Sequence, residues 1–89
     1  MAKKRRKLNK DFERKIYSSK KNVELVLAKI FDIDDEDIQK EYMSAFNEVV
    51  HLYDELRVSY EEYGFNDDSD QLLVNYKNAF NLFESEFEI

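Results

Sequence analysis

From Asp35 to Gly64 the chain runs for about eight helical turns with no proline, and its only glycine closes the run. Within it apolar residues recur at steps of four and three, at Ile38, Tyr42, Ala45, Val49, Leu52, Leu56, Tyr60 and Tyr63. That spacing is one face of an α-helix and predicts a helix over about 35–63. Written as a heptad, Tyr42, Val49, Leu56 and Tyr63 fall at a, while Ile38, Ala45, Leu52 and Ser59 fall at d. Phe46, Tyr53 and Tyr60 add the e positions, so the stripe is too wide for a two-stranded seam and predicts two neighbours. Glu41, Glu48, Glu55 and Glu62 occupy every g position, a row of carboxylates roughly 10 Å apart.

The rest of the chain is compatible with such a helix and with little else. Eighty-nine residues make one domain with a single modest core. With no proline and one glycine there is almost no punctuation, which favours long helices on short connections over a sheet. Hydrophobic residues at 43%, including seven Phe and six Tyr, supply enough apolar surface to fold despite 38% charged residues. Without cysteine there are neither disulfides nor thiolate metal sites. No apolar run reaches the roughly 18 residues of a membrane span, and the basic start is not followed by the apolar stretch of a secretory signal. The expectation is an intracellular protein without a membrane partner.

Charge is divided unevenly. Residues 1–21 hold ten bases against two acids, a balance of +8, and residues 22–89 hold four bases against eighteen acids, a balance of −14. The chain therefore reads as a basic arm, residues 1–8, on a helical body, residues 9–89. The first helix is expected over about 9–31 with Asn9 as its N-cap, burying Phe12, Ile16, Ser19, Val23, Val26, Leu27 and Ile30. Leu25 lies opposite that stripe and points to a second buried side or a contact outside the domain. The third helix is expected over about 68–87, with Leu72, Leu73, Tyr76, Ala79, Phe80, Phe83 and Phe87 on one face. Gly64 is expected to end the central helix in a left-handed conformation, with Phe65 folding back on its last turn. Connections of about three to five residues complete the predicted architecture, an all-α, antiparallel three-helix bundle with a basic N-terminal arm.

Motifs for chemistry are sparse. Alternate acids at Asp32, Asp34 and Glu36 suggest a calcium loop, but Asp37 stands where the loop needs glycine and Met43 where it needs a bidentate glutamate. Gln71 and Lys77 break the same pattern begun at Asn66, and both acidic clusters are better read as helix caps. His51 is the single histidine, on the back of the central helix near Glu48, Asp54 and Glu55, and has no second imidazole to share a metal. There is no phosphate loop and no nucleophile elbow. The chain is expected to be a binding protein without cofactor, metal or catalytic residues.

Two surfaces are candidates for that binding. Lys3, Lys4, Arg5, Arg6 and Lys7 in the arm, extended by Lys10, Arg14 and Lys21 on the outer face of the first helix, suit a phosphate backbone or an acidic protein. Glu41, Glu48, Glu55 and Glu62, with Asp67 and Asp68, form an ordered acidic face that suits a protein surface built for nucleic acid. The glutamates have a bland alternative, as a solvated helix edge or as partners for the bases of the first helix. Composition rich in Lys, Asn, Asp, Glu, Ile, Phe and Tyr is that of an AT-rich genome, and the chain is similar in style to the small acidic anti-restriction and anti-CRISPR proteins that imitate DNA, without a motif tying it to one family. That resemblance implies a phage or mobile-element protein, acting in the host cytoplasm, which binds and inhibits a host nucleic-acid-handling protein. The rival expectation is a nucleic-acid-binding accessory or regulatory protein acting through its arm, and a homodimer is a third arrangement, using Leu25, Met43 and Val58.

Overall fold

The structure, a computed structural model, describes residues 7–87 and is all-helical and bundle-like. Its helices are α1 (Lys10–Phe31), α2 (Glu36–Tyr63) and α3 (Asp67–Glu86). Lys3, Lys4, Arg5 and Arg6 of the basic arm lie outside the described residues.

Each helix begins on a side chain that satisfies its otherwise unpaired amides. Asn9 Oδ1 accepts from the Phe12 amide at 3.0 Å, and Asp35 Oδ1 accepts from the Asp37 and Ile38 amides. Asn66 and Ser69 bond reciprocally, each side chain accepting from the other's backbone N–H at 2.9 Å. This box sets the start of α3 one residue ahead of the expected Asp68. The acidic clusters at both turns are thus helix starts. Gly64 ends α2 at φ 77°, ψ −161°, a region that only glycine occupies readily, and not at the expected left-handed helical ψ. Phe65 then packs its ring 5.0 Å from Phe12 of α1. Its amide donates to the Lys7 carbonyl, which ties the start of the described chain to the α2–α3 turn.

The central helix buries its a and e positions, Phe46, Val49, Tyr53, Leu56 and Tyr60. The d positions Ala45, Leu52 and Ser59 are only half-buried, so the stripe read from the sequence is turned toward e. Neighbours on both sides explain the turn. Against α3 the ring pairs climb α2 as they descend its partner: Tyr42 with Phe87 at 4.8 Å, Phe46 with Phe83 at 4.8 Å, Tyr53 with Tyr76 at 6.0 Å. Against α1, Phe12 meets Tyr60 at 5.4 Å, and the Asn9 amide donates to the Tyr60 hydroxyl. At the opposite end Gln39 Nε2 donates to the Ile30 and Phe31 carbonyls, capping α1 from α2. The ends of the predicted stripe fall outside the core, with Ile38 43% and Tyr63 63% exposed, because the 28-residue α2 outruns the stretch where both neighbours cover it.

Candidate functional site

The glutamate row lies on the side of α2 that borders α3. Glu48 lines a groove with Ala45, Leu52, Asn75, Asn78, Leu82 and Glu86. Seven-residue spacing carries Glu41, Glu55 and Glu62 along the same edge. On α3 the matching flank reads Asp68, Gln71, Asn75, Asn78, Leu82 and Glu86, at steps of three and four, so carboxylates and amides face the row and no base is among them. Gln71 Nε2 donates to Asn75 Oδ1 at 3.0 Å, which holds two of these amides together. All four glutamates, with Asp67 and Asp68, are exposed. Among the described residues no lysine or arginine lies within ion-pair distance of Glu41, Glu48, Glu55 or Glu62. This corrects the reading of the row as partners for the bases of the first helix: α1 lies beyond the e positions, on the other side of α2.

Elsewhere on α2 the acids are satisfied locally. Arg57 bonds Asp54 at 2.7 Å and Glu61 at 3.1 Å along its own helix. His51 Nε2 stands 2.6 Å from Glu55 Oε1, with 70% of the imidazole side chain exposed. That pair is a helix-surface contact open to water and lacks the dry pocket that proton-transfer chemistry needs. Among the described residues no three His, Cys, Asp or Glu side chains are placed to hold a metal, and no helix is long and apolar enough to cross a membrane.

The described part of the basic surface is exposed at Lys7, Lys10, Arg14 and Lys21. Lys21 Nζ sits 5.1 Å over the Tyr17 ring, and Arg14 lies 3.8 Å from Asp11. A feature that the periodicity of single helices does not reveal lies between α1 and α3. There a groove of about 550 Å³ has Leu25, Val26, Tyr76 and Phe80 in its lining together with the bases Arg14, Lys15, Lys29 and Lys77, the acid Glu84, and serines and asparagines between them. Tyr76 is the tether beneath it: its hydroxyl donates to the Ser19 carbonyl at 3.3 Å. Burial pushes the Tyr76 phenol up to about 12, and Ser19 itself is buried with its hydroxyl donating to the Lys15 carbonyl. The α3 helix therefore separates two surfaces of opposite character, an acid and amide edge toward α2 and a basic groove toward α1. Compared with protein-family models, curated proteins and solved structures, the chain matches none.

Proposed function

We propose that the chain is an antiparallel three-helix bundle with a basic N-terminal arm, and that it acts by binding a macromolecule rather than by catalysis. On this reading the α2/α3 edge occupies a basic surface of a host nucleic-acid-handling protein in place of the phosphate backbone and inhibits that protein as a DNA mimic. The encoding element is then a phage or other mobile element, and the host cytoplasm is where the chain works.

The observation that supports this most is the edge's lack of bases. Glu41 to Glu62 spans roughly 31 Å with one carboxylate per roughly 10.5 Å, about the axial rise of three base pairs of duplex DNA. Rigid placement on one helix preserves that spacing without an ordering cost on binding. Exposed Glu41, Glu48 and Glu62 have no basic side chain of the described residues paired with them, and Glu55 has the exposed His51 imidazole beside it.

Recovery of partners from a host lysate tests the reading, with the wild-type chain compared against a variant carrying Glu→Gln at 41, 48, 55 and 62. The expected result is a protein retained at low salt by the wild type, released at half-molar salt, and lost with the variant. Four rim charges at roughly 0.2–1 kcal/mol each, about 1–4 kcal/mol together, change affinity about fourfold or more. No salt-sensitive protein partner, or equal recovery by the variant, would sink the proposal. The second reading, direct nucleic-acid binding, draws on exposed Lys10, Arg14 and Lys21 beside Tyr17. It requires that removal of residues 1–6 abolish a DNA or RNA shift while the four Glu→Gln changes preserve it. Deleting only these six spares the Lys7 carbonyl that binds Phe65.

A further inference from the structure

We propose that the groove between α1 and α3 is a docking site for an acidic amphipathic helix of a protein partner. It lies on the far side of α3 from the acidic edge, so the two surfaces can be occupied together, and it needs nothing from the function proposed above.

Three observations carry the assignment. First, its lining holds apolar side chains open to solvent. Leu25 is 61% exposed although it sits in the most apolar stretch of α1, and Phe80 beside it on α3 is only half-buried. Exposed Leu25 and half-buried Phe80 together give a helix partner apolar surface to cover beside the basic side chains. Second, the charges on its walls are basic on both helices, Arg14, Lys15 and Lys29 from α1 and Lys77 from α3, against Glu84. They stand in a body whose residues 22–89 are strongly acidic, so two of the four later bases are gathered here. Third, the shape is that of a helix seat. Two neighbouring helices joined below by the Tyr76 to Ser19 hydrogen bond leave a trough above it, the place a fourth helix takes in a bundle. Arg14 to Lys29 covers roughly 22 Å, the length of a helix of about four turns.

The occupant that matches is a helix with apolar residues at i, i+4, i+7 and i+11 for the floor and Asp or Glu on both flanks for the walls. Nucleic acid fits less well. Tyr76 is buried and hydrogen-bonded, so it offers no open ring for a base to stack on, and Glu84 stands in the wall. A second copy also fits less well, since each of the three helices already lays its apolar stripe against its own neighbours.

The test uses the full chain, ¹⁵N-labelled, and two synthetic 16-residue helical peptides with the same leucine stripe, one flanked by Glu and the other by Lys. The Glu peptide is expected to shift the amides of Leu25, Lys29, Lys77 and Phe80 saturably and to bind at least tenfold more tightly than the Lys peptide. The double variant Lys29→Glu, Lys77→Glu, at two exposed positions, should reverse that preference while keeping the wild-type melt. Leu25→Ser should weaken both peptides. Equal affinity for the two peptides, shifts that map to the α2/α3 edge, or no saturable shift at millimolar peptide would each overturn the proposal. So would a 20-nucleotide single strand that saturates the same amides more tightly, or a concentration-dependent dimer that buries them. The variant with Glu→Gln at 41, 48, 55 and 62 is expected to bind the Glu peptide like the wild type, which separates this result from any outcome for the acidic edge.

Discussion

The two flanks of α3 differ in what holds them together and in what they leave exposed. Toward α2 the packing is aromatic and continuous, with Tyr42, Phe46 and Tyr53 set against Phe87, Phe83 and Tyr76, and the rim above it is carboxylate and amide. Toward α1 the Tyr76 hydroxyl bonds the Ser19 carbonyl, no ring of α1 pairs with one of α3 among the described residues, and the rim is basic around half-covered apolar side chains. A flank closed by interlocked rings leaves its charges free to face solvent in a fixed row. A flank without such a ladder of rings leaves a trough. The same helix thus presents a rigid charged edge on one side and an unfinished packing surface on the other, and the difference originates in residues three and four positions apart on α3: Asn75, Asn78 and Leu82 against Lys77, Asn81 and Glu84.

The largest effect comes from the core on which both flanks stand. Leu56 is fully buried and Val49 nearly so. Val49→Asp or Leu56→Asp is expected to abolish the cooperative thermal transition, because an unpaired buried carboxylate costs several kcal/mol against a total of roughly 5–10. A cooperative melt in either variant would mean that the stripe faces a partner. The next effect is specific to the basic flank. Tyr76→Phe removes the tether and should cost about 1 kcal/mol in denaturant unfolding at neutral pH.

The same substitution has a pH signature. Burial raises the folded Tyr76 phenol to about 12 from an ordinary 10, so the folded state holds this proton more tightly than the unfolded chain. The stabilisation is complete below pH 10 and is lost as pH rises from 10 to 12, by roughly 2–3 kcal/mol. Unfolding midpoints of the wild type should fall across that window, and those of Tyr76→Phe should fall less. Burial raises Tyr53 as well, so the variant keeps some alkaline sensitivity. An identical pH profile for the two chains would remove Tyr76 as the cause.

A smaller difference should appear in hydrogen exchange. The amides of α1, which brings only Phe12 to the ring contacts with α2 and the following turn, are expected to exchange faster than those in the middle of α2 and α3. Equal protection of all three helices would mean that the two flanks of α3 are equally well closed. Smallest of all, Leu82→Ser on the acidic edge, where 60% of the side chain is exposed, should change stability by no more than about 0.5 kcal/mol.

Much of this architecture is legible in the amino-acid order because each helix carries its own instructions. Asn9, Asp35 and Asn66 announce the starts, Gly64 the sharpest end, and the four-and-three spacing of α2 names Val49, Leu56 and Tyr60 as interior, with Phe46 and Tyr53 added by the e positions. What the order does not contain is rotation. A heptad places Glu48 at g, but whether g borders the first or the third helix depends on where the neighbours sit, and it proves to border α3. The groove is hidden for the same reason. Lys15, Lys29 and Lys77 are far apart in sequence and become one surface only when α1 and α3 come together. Leu25 is the visible clue, an apolar residue off its helix's stripe and 61% exposed. Caps between helices, such as Gln39 on the end of α1, carry no local signal at all.

The central claim is that the α2/α3 edge stands in for a nucleic-acid backbone. Its most direct test is competition on the recovered partner: a fixed complex of chain and partner is titrated with a 20-base-pair duplex while release of the chain is followed by fluorescence anisotropy. The account predicts that the duplex displaces the chain completely, and that the variant with Glu→Gln at 41, 48, 55 and 62 is displaced at a duplex concentration at least about fourfold lower. A ternary complex of partner, duplex and chain, stable to saturating duplex, would contradict it.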